Sequence, residues 1–170
     1  MIRDALLAVS GRMDTTVGGS LVSWKNDEYT PADNVSASSL RRSVYLPVVR
    51  DRVFDVFTIF DFANPSVGTS KRIPTVVSHQ ALFFLNSPLV KESAGAFAKN
   101  LSIAAPEDSA ARIKLAYERA FGRLPTEAEM EQAGRFLLSL PLTPSADSNK
   151  AAWTAWCQML FAANEFIYRE

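Results

Sequence analysis

The sequence predicts an all-α fold, an irregular multi-helix bundle with a long loop-rich N-terminal half. Three observations carry that prediction. Apolar residues recur every three or four positions through most of the C-terminal half, the period of one helix face. Thr126 and Glu129 stand at the spacing of a capping box. Between residues 14 and 39, Gly18, Gly19, Pro31, Asn34 and many serines and threonines break any such period.

With 170 residues, 48% of them hydrophobic and eleven of them phenylalanine, the chain is long and apolar enough for one sizeable core. We therefore expect a single domain over residues 1–170. Lysine plus arginine equal aspartate plus glutamate at 18 each, so no basic field favours nucleic acid or an anionic membrane. A local excess of Arg41, Arg42, Arg50, Arg52, Lys71 and Arg72 over Asp51, Asp55 and Asp61 fits a solvated loop surface. The lone Cys157 excludes an internal disulfide, and no cysteine–histidine spacing suggests zinc or haem, so no cofactor is predicted. No apolar run reaches the roughly 18 residues of a membrane span.

Ile2, Ala5, Leu6 and Val9 form the first helical stripe, but no capping residue precedes them. The expectation is a helix that begins upstream, in a larger protein of which this chain is the C-terminal part. Residues 42–49, rich in valine, tyrosine and leucine, read as extended, with Pro47 excluding a central strand. Residues 50–60 read as a short helix that turns Val53, Phe54, Val56, Phe57 and Phe60 inward. Asn64-Pro65 and Gly68 mark the next loop.

Thr75 is the expected cap of a helix whose inward face is Ala81, Leu82 and Leu85. Ser87-Pro88 pairs a cap with proline at the first helical position, opening a helix to about Leu101. Ile113, Ala116, Tyr117, Ala120 and Phe121 make a further stripe that Gly122 ends, as a left-handed C-terminal glycine does. Met130, Ala133, Leu137 and Leu140 follow the capping box until Pro141. A last helix over residues 149–168 places Trp153, Trp156, Cys157, Leu160, Phe161 and Ile167 on one face.

Candidate chemistry is sparse. Asp61, Asn64, Arg72, Gln80 and Asn86 cluster in a loop and the helix after it, the kind of place where ligands bind. The same residues also suit a structural use, with Asp61 and Asn64 satisfying their own turn and Gln80 and Asn86 pinning the loop. His79 has no partner histidine or cysteine and reads as a helix-surface or partly buried side chain. Arg41 and Arg42 point to opposite sides of extended chain, and one is expected to pair with Asp55 or Asp61. Glu127, Glu129 and Glu131 suit the positive end of a helix better than paired-carboxylate catalysis, with Glu131 four residues before Arg135. Asn164 falls on an apolar stripe and is expected to bond a loop carbonyl, while Cys157 reads as a small buried hydrophobe.

Several phrases stand in an ordered set: Ile2-Arg3-Asp4-Ala5-Leu6-Leu7 with Ser10-Gly11 and Gly18-Gly19, Arg41-Arg42-Ser43-Val44-Tyr45, Phe60-Asp61 and Asn64-Pro65-Ser66. Gln80-Ala81-Leu82, Leu85-Asn86, Tyr117, Gly122-Arg123-Leu124-Pro125-Thr126 and Asn164-Glu165-Phe166-Ile167-Tyr168 follow. Together they resemble the C-terminal planctomycete-specific domain of unknown function that ends large cytochrome-c-type proteins. Ser78 and His79 depart from that pattern, which usually carries proline and threonine there. The resemblance implies a periplasmic or cell-envelope parent with a haem-binding domain and a companion domain upstream, and implies no reaction. The expected function is a non-enzymatic helical accessory or interaction module whose partners are the upstream domains of its parent. The alternative is a carbohydrate- or small-ligand-binding or hydrolytic domain with its polar site near Asp61, Arg72 and Gln80.

Overall fold

Two helices of 17 residues form the centre of the computed structural model: α4, Pro88–Ala104, and α7, Ala146–Ala162. The structure describes residues 2–19, 21, 24–25, 28–29, 38–48, 53–68, 75, 78–139 and 146–168. Along α4 the buried positions are Val90, Ser93, Ala94, Phe97, Ala98 and Leu101, spaced by one helical turn. Ala94 and Ala98 are small enough for α7 to approach closely, and Gly95 lies beside Thr154. Phe97 stacks on Phe161 with centroids 5.6 Å apart, and Trp153 meets Trp156 edge to face at 5.4 Å. These two helices make the most extensive interhelical contact in the fold.

The remaining helices lean on that pair. α5, Ser109–Phe121, starts on Asp108, whose carboxylate accepts from the Ala111 amide. It buries Ile113, Ala116 and Tyr117 and stops at Gly122, whose φ of 74° is the expected left-handed conformation. Helix α6, Glu127–Ser139, buries Ala133 and packs Met130 and Leu137 against the core. Leu140 and Pro141, predicted to complete and stop it, lie outside the described residues. The first helix, α1, spans Ile2–Val9 and places Leu6 in the same core. Among the described residues no helix is long and apolar enough to cross a membrane.

The all-α prediction holds, and the N-terminal half is irregular as expected. Its described parts include an isolated parallel bridge between Asp14 and Arg41, and antiparallel two-residue strands β1, Trp24–Lys25, and β2, Glu28–Tyr29. Residues 43–45, expected to be extended, instead form a 3-10 turn, Ser43–Tyr45. The reason lies in Asp4, whose carboxylate accepts from both the Ser43 amide and hydroxyl and closes the chain onto α1. The short helix predicted over 50–60 is confined to α2, Asp55–Ile59, with Val56 and Phe57 buried, and residues 50–52 lie outside the description.

Two expectations about helix faces need correction. Helix α3, Ser78–Asn86, buries Gln80, Phe83 and Phe84, whereas Ala81, Leu82 and Leu85 are exposed. Both stripes are apolar, and the aromatic one wins because Phe60 meets Phe83 and Phe84 edge to face at 5.3 and 5.8 Å. Thr75, the expected cap, gives its amide and hydroxyl to the Asp61 carboxylate, and residues 76–77 between it and Ser78 lie outside the described residues. The last helix also breaks at Ala163, and α8, Asn164–Ile167, follows as a separate turn. Asn164 is therefore exposed at the start of α8, not buried on an apolar stripe.

Candidate functional site

Each polar residue singled out in the sequence has a definite place. Asp61 adopts φ 55°, a left-handed conformation that aspartate tolerates better than most side chains. Its Oδ2 accepts from the Thr75 amide at 2.7 Å and its Oδ1 from the Thr75 hydroxyl at 2.7 Å. These bonds, the backbone one foremost, hold the Asp61 carboxyl below the usual carboxylate range. Gln80 is buried, and its amide donates to the carbonyls of Ile59 at 3.1 Å and Thr75 at 2.9 Å. Asp61 and Gln80 thus converge on Thr75, one on its amide and hydroxyl and the other on its carbonyl, and tie it to the end of α2.

Asn64 stays in its own turn, where Oδ1 accepts from the Ser66 amide at 2.9 Å. Asn86 is exposed at the end of α3. The pinning role expected of it falls to Gln158 of α7, whose amide donates to the carbonyls of Phe84 and Leu85, each at 2.9 Å. Arg72 lies outside the described residues, and His79 is an exposed helix-surface side chain. Cys157 is fully buried, and burial pushes its thiol well above the ordinary range, so it stays protonated. Among the described residues no group of three or more histidine, cysteine, aspartate or glutamate side chains is placed to hold a metal ion.

Arginines do most of the remaining polar work. Arg3 is only 2% exposed; its Nη1 donates to the Arg41 carbonyl at 2.7 Å and its Nη2 to the Ser39 carbonyl. Burial pulls its guanidinium below the ordinary value, and Asp4 partly offsets that. Arg41 sits inside the loop that Arg3 holds, donating to the carbonyls of Thr16, Gly18 and Gly19 and lying 4.3 Å from the Tyr45 ring centroid. The pairing expected of Arg41 or Arg42 with Asp55 or Asp61 does not form among the described residues, and Arg41 takes these carbonyls instead. Arg12 reaches from the turn after α1 to Glu92 at 2.7 Å and Ser93 on α4. Nearby, the Asn100 amide donates to the Ser10 carbonyl at 2.9 Å.

Arg123 follows Gly122 and forks onto two carboxylates. Its Nη1 and Nη2 donate to Glu129 at 2.9 and 2.7 Å, and its Nε and Nη2 to Glu165 at 2.6 and 2.7 Å. Glu129 also completes the predicted capping box, accepting from the Thr126 amide at 2.7 Å, while its own amide donates to the Thr126 hydroxyl. These contacts, the Arg123 bonds above all, lower the Glu129 pKa to about 2. The cluster borders a cleft of about 220 Å³ that includes Tyr117, Phe136, Trp156 and Met159. Glu131 and Arg135 make the predicted pair at 3.5 Å on the exposed face.

The Glu129 shift gives a pH prediction. A carboxylate whose folded pKa is depressed contributes stability above its unfolded pKa, near the ordinary 4.5, and loses it as pH falls toward about 2. Glu129→Gln should therefore be less stable than the parent at pH 7, and the difference should shrink between pH 4.5 and 2. Urea midpoints measured across that window check it. A difference that stays constant would show that the charge contributes nothing.

A family profile described as PSD1, protein of unknown function (DUF1553), matches residues 1–137, from α1 into α6. No curated protein and no solved structure matches the chain.

Proposed function

This chain belongs to the DUF1553 (PSD1) family of unknown function, and on that premise we propose that it is a non-enzymatic helical accessory module that packs against other domains of a larger protein. One observation carries the reading: the best-placed polar side chains, Asp61, Gln80, Arg3, Arg41, Arg123 and Glu129, are engaged in fixing loops to helices and to one another. A site that binds or transforms a solute keeps donors and acceptors directed at open space. The exposed apolar edge of α3, with Leu82 52% and Leu85 57% accessible, supports the packing role. The resemblance to domains that end cytochrome-c-type proteins supports a parent in the periplasm or cell envelope that bears a haem-binding domain upstream.

Hydrogen exchange tests the proposal by comparing this chain alone with the longest protein that contains it. Slower exchange in α3 within the longer protein, with α4 and α7 unchanged, is the expected outcome. Identical exchange throughout would remove the packing claim. The alternative, a carbohydrate- or small-ligand-binding or hydrolytic site near Asp61, Arg72 and Gln80, requires that a solute displace Thr75 from Asp61.

A further inference from the structure

A second cleft opens on the side of the bundle where α4, α5 and α7 meet, with a volume of about 480 Å³. That lies within the range of about 300–1,000 Å³ occupied by small-molecule sites. Lys99 and Ser102 come from α4, Arg112 from α5, and Asn149, Lys150 and Trp153 from α7. Its charged lining among the described residues is entirely cationic. Proximity of three like charges is unfavourable in a partly enclosed space, and an anion is the group that relieves it.

The centre of this lining is rigid. Arg112 is buried, and its Nε and Nη2 are fixed on the carbonyls of Ala105, at 3.1 and 2.8 Å, and Pro106, at 2.7 Å. Its guanidinium lies 4.6 Å from the Trp153 ring centroid. That anchoring uses one edge of the planar fork and leaves Nη1 without a hydrogen-bond partner among the described residues. Lys99 and Lys150 stand exposed on α4 and α7, on two different walls of the cleft. Neither forms an ion pair among the described residues. The Ser102 hydroxyl donates to the Lys99 carbonyl at 2.8 Å, so the donors left for a ligand are Arg112 Nη1, the two ammonium groups and the Asn149 amide.

We propose that this cleft binds a small organic anion carrying at least two negative charges, with Arg112 as the preset donor and Lys99 and Lys150 closing on it from two sides. Guanidinium bonds to oxyanions are stronger than neutral hydrogen bonds, and the fixed fork loses little freedom on binding. The volume exceeds that of a bare ion, so the ligand has a carbon skeleton bearing carboxylate or phosphoryl groups.

Nitrogen-15 NMR titration of the full chain with citrate, glucose 6-phosphate and inorganic phosphate, at constant ionic strength and with glucose as neutral control, tests the proposal. Saturable shifts confined to Lys99, Arg112, Asn149, Lys150 and the Trp153 indole, with a dissociation constant below about 10 mM for citrate or glucose 6-phosphate, are expected. Tighter binding of citrate identifies a carboxylate ligand, and tighter binding of the sugar phosphate a phosphoryl ligand. Lys99→Gln combined with Lys150→Gln should weaken binding at least about tenfold while leaving the spectrum of the core unchanged. Shifts that do not saturate, that spread over surface lysines generally, or that survive the double substitution overturn the assignment, as does binding of inorganic phosphate alone.

Discussion

Replacing Trp156 by alanine is expected to lower stability by about 3–5 kcal/mol, as a full truncation of a buried indole does. Trp156 is 3% exposed and lies between two helices, edge to face with Trp153 on α7 and 6.3 Å from the Tyr117 ring of α5. Its removal withdraws apolar area and leaves a hole that the neighbouring rings cannot fill without breaking their own contacts. For a chain of this size the midpoint of thermal unfolding should fall by roughly 6–20 °C. Leu138, which is 83% exposed on α6, provides the contrast. Its alanine variant should stay within about 0.5 kcal/mol of the parent. Equal losses at both positions would mean that α7 is not the centre of the core.

Arg3→Ala is the second large effect, expected at about 3–5 kcal/mol because a buried, bonded charge is removed and its partners are stranded. Three losses combine. The carbonyls of Ser39 and Arg41 lose their donors, Asp4 loses a counter-charge 3.6 Å away, and the Ser43 hydroxyl loses a neighbour. Arg3→Lys should recover only part of this, since an ammonium cannot reproduce the planar fork that spans two carbonyls. Hydrogen exchange gives a local readout that separates this loss from global unfolding. The alanine variant should exchange faster around residues 39–46 while α4 and α7 keep their relative protection. Unchanged exchange there, or an equal loss everywhere, would count against the arginine as the tie between α1 and this loop.

The C-terminal helices were legible because their signals are local. The capping box places both partners three residues apart, and Gly122 needs only its own φ, so neither depends on distant chain. Pro88 at the first turn of α4 is equally self-contained. The face of α3 was not legible: Ala81, Leu82 and Leu85 make as good a stripe as Phe83 and Phe84, and only Phe60, more than twenty residues earlier, decides between them. Nor did the sequence mark Arg3, Arg112 or Arg123 as structural. Their partners are backbone carbonyls, carboxylates and, for Arg3, the Ser43 hydroxyl, as far as 40 residues away for Arg3 and 42 for Arg123, and a carbonyl carries no residue-specific signature.

The candidate polar site divides in the same way. Asn64 binding its own turn is a short-range habit of asparagine before proline and is foreseeable. The convergence of Asp61 and Gln80 on Thr75 is not, although the sequence places both in one cluster. Thr75 reads as a helix cap, and no local rule prefers a carboxylate 14 residues upstream to a role in the nearer helix. Gln158 is a comparable omission, since its two carbonyl partners lie 73 and 74 residues earlier.

Whether these polar groups serve structure or a solute is the central question, and thermal and urea unfolding of Gln80→Ala in the absence of any ligand answers it most directly. Gln80 is 6% exposed and its amide holds two carbonyls. A structural role predicts a loss of about 1–3 kcal/mol as two part-buried hydrogen bonds are removed. A residue kept for binding would instead leave the variant as stable as the parent or more so, because functional groups are commonly retained at the expense of stability. That second result would contradict the account and return the region around Asp61 to the list of ligand sites.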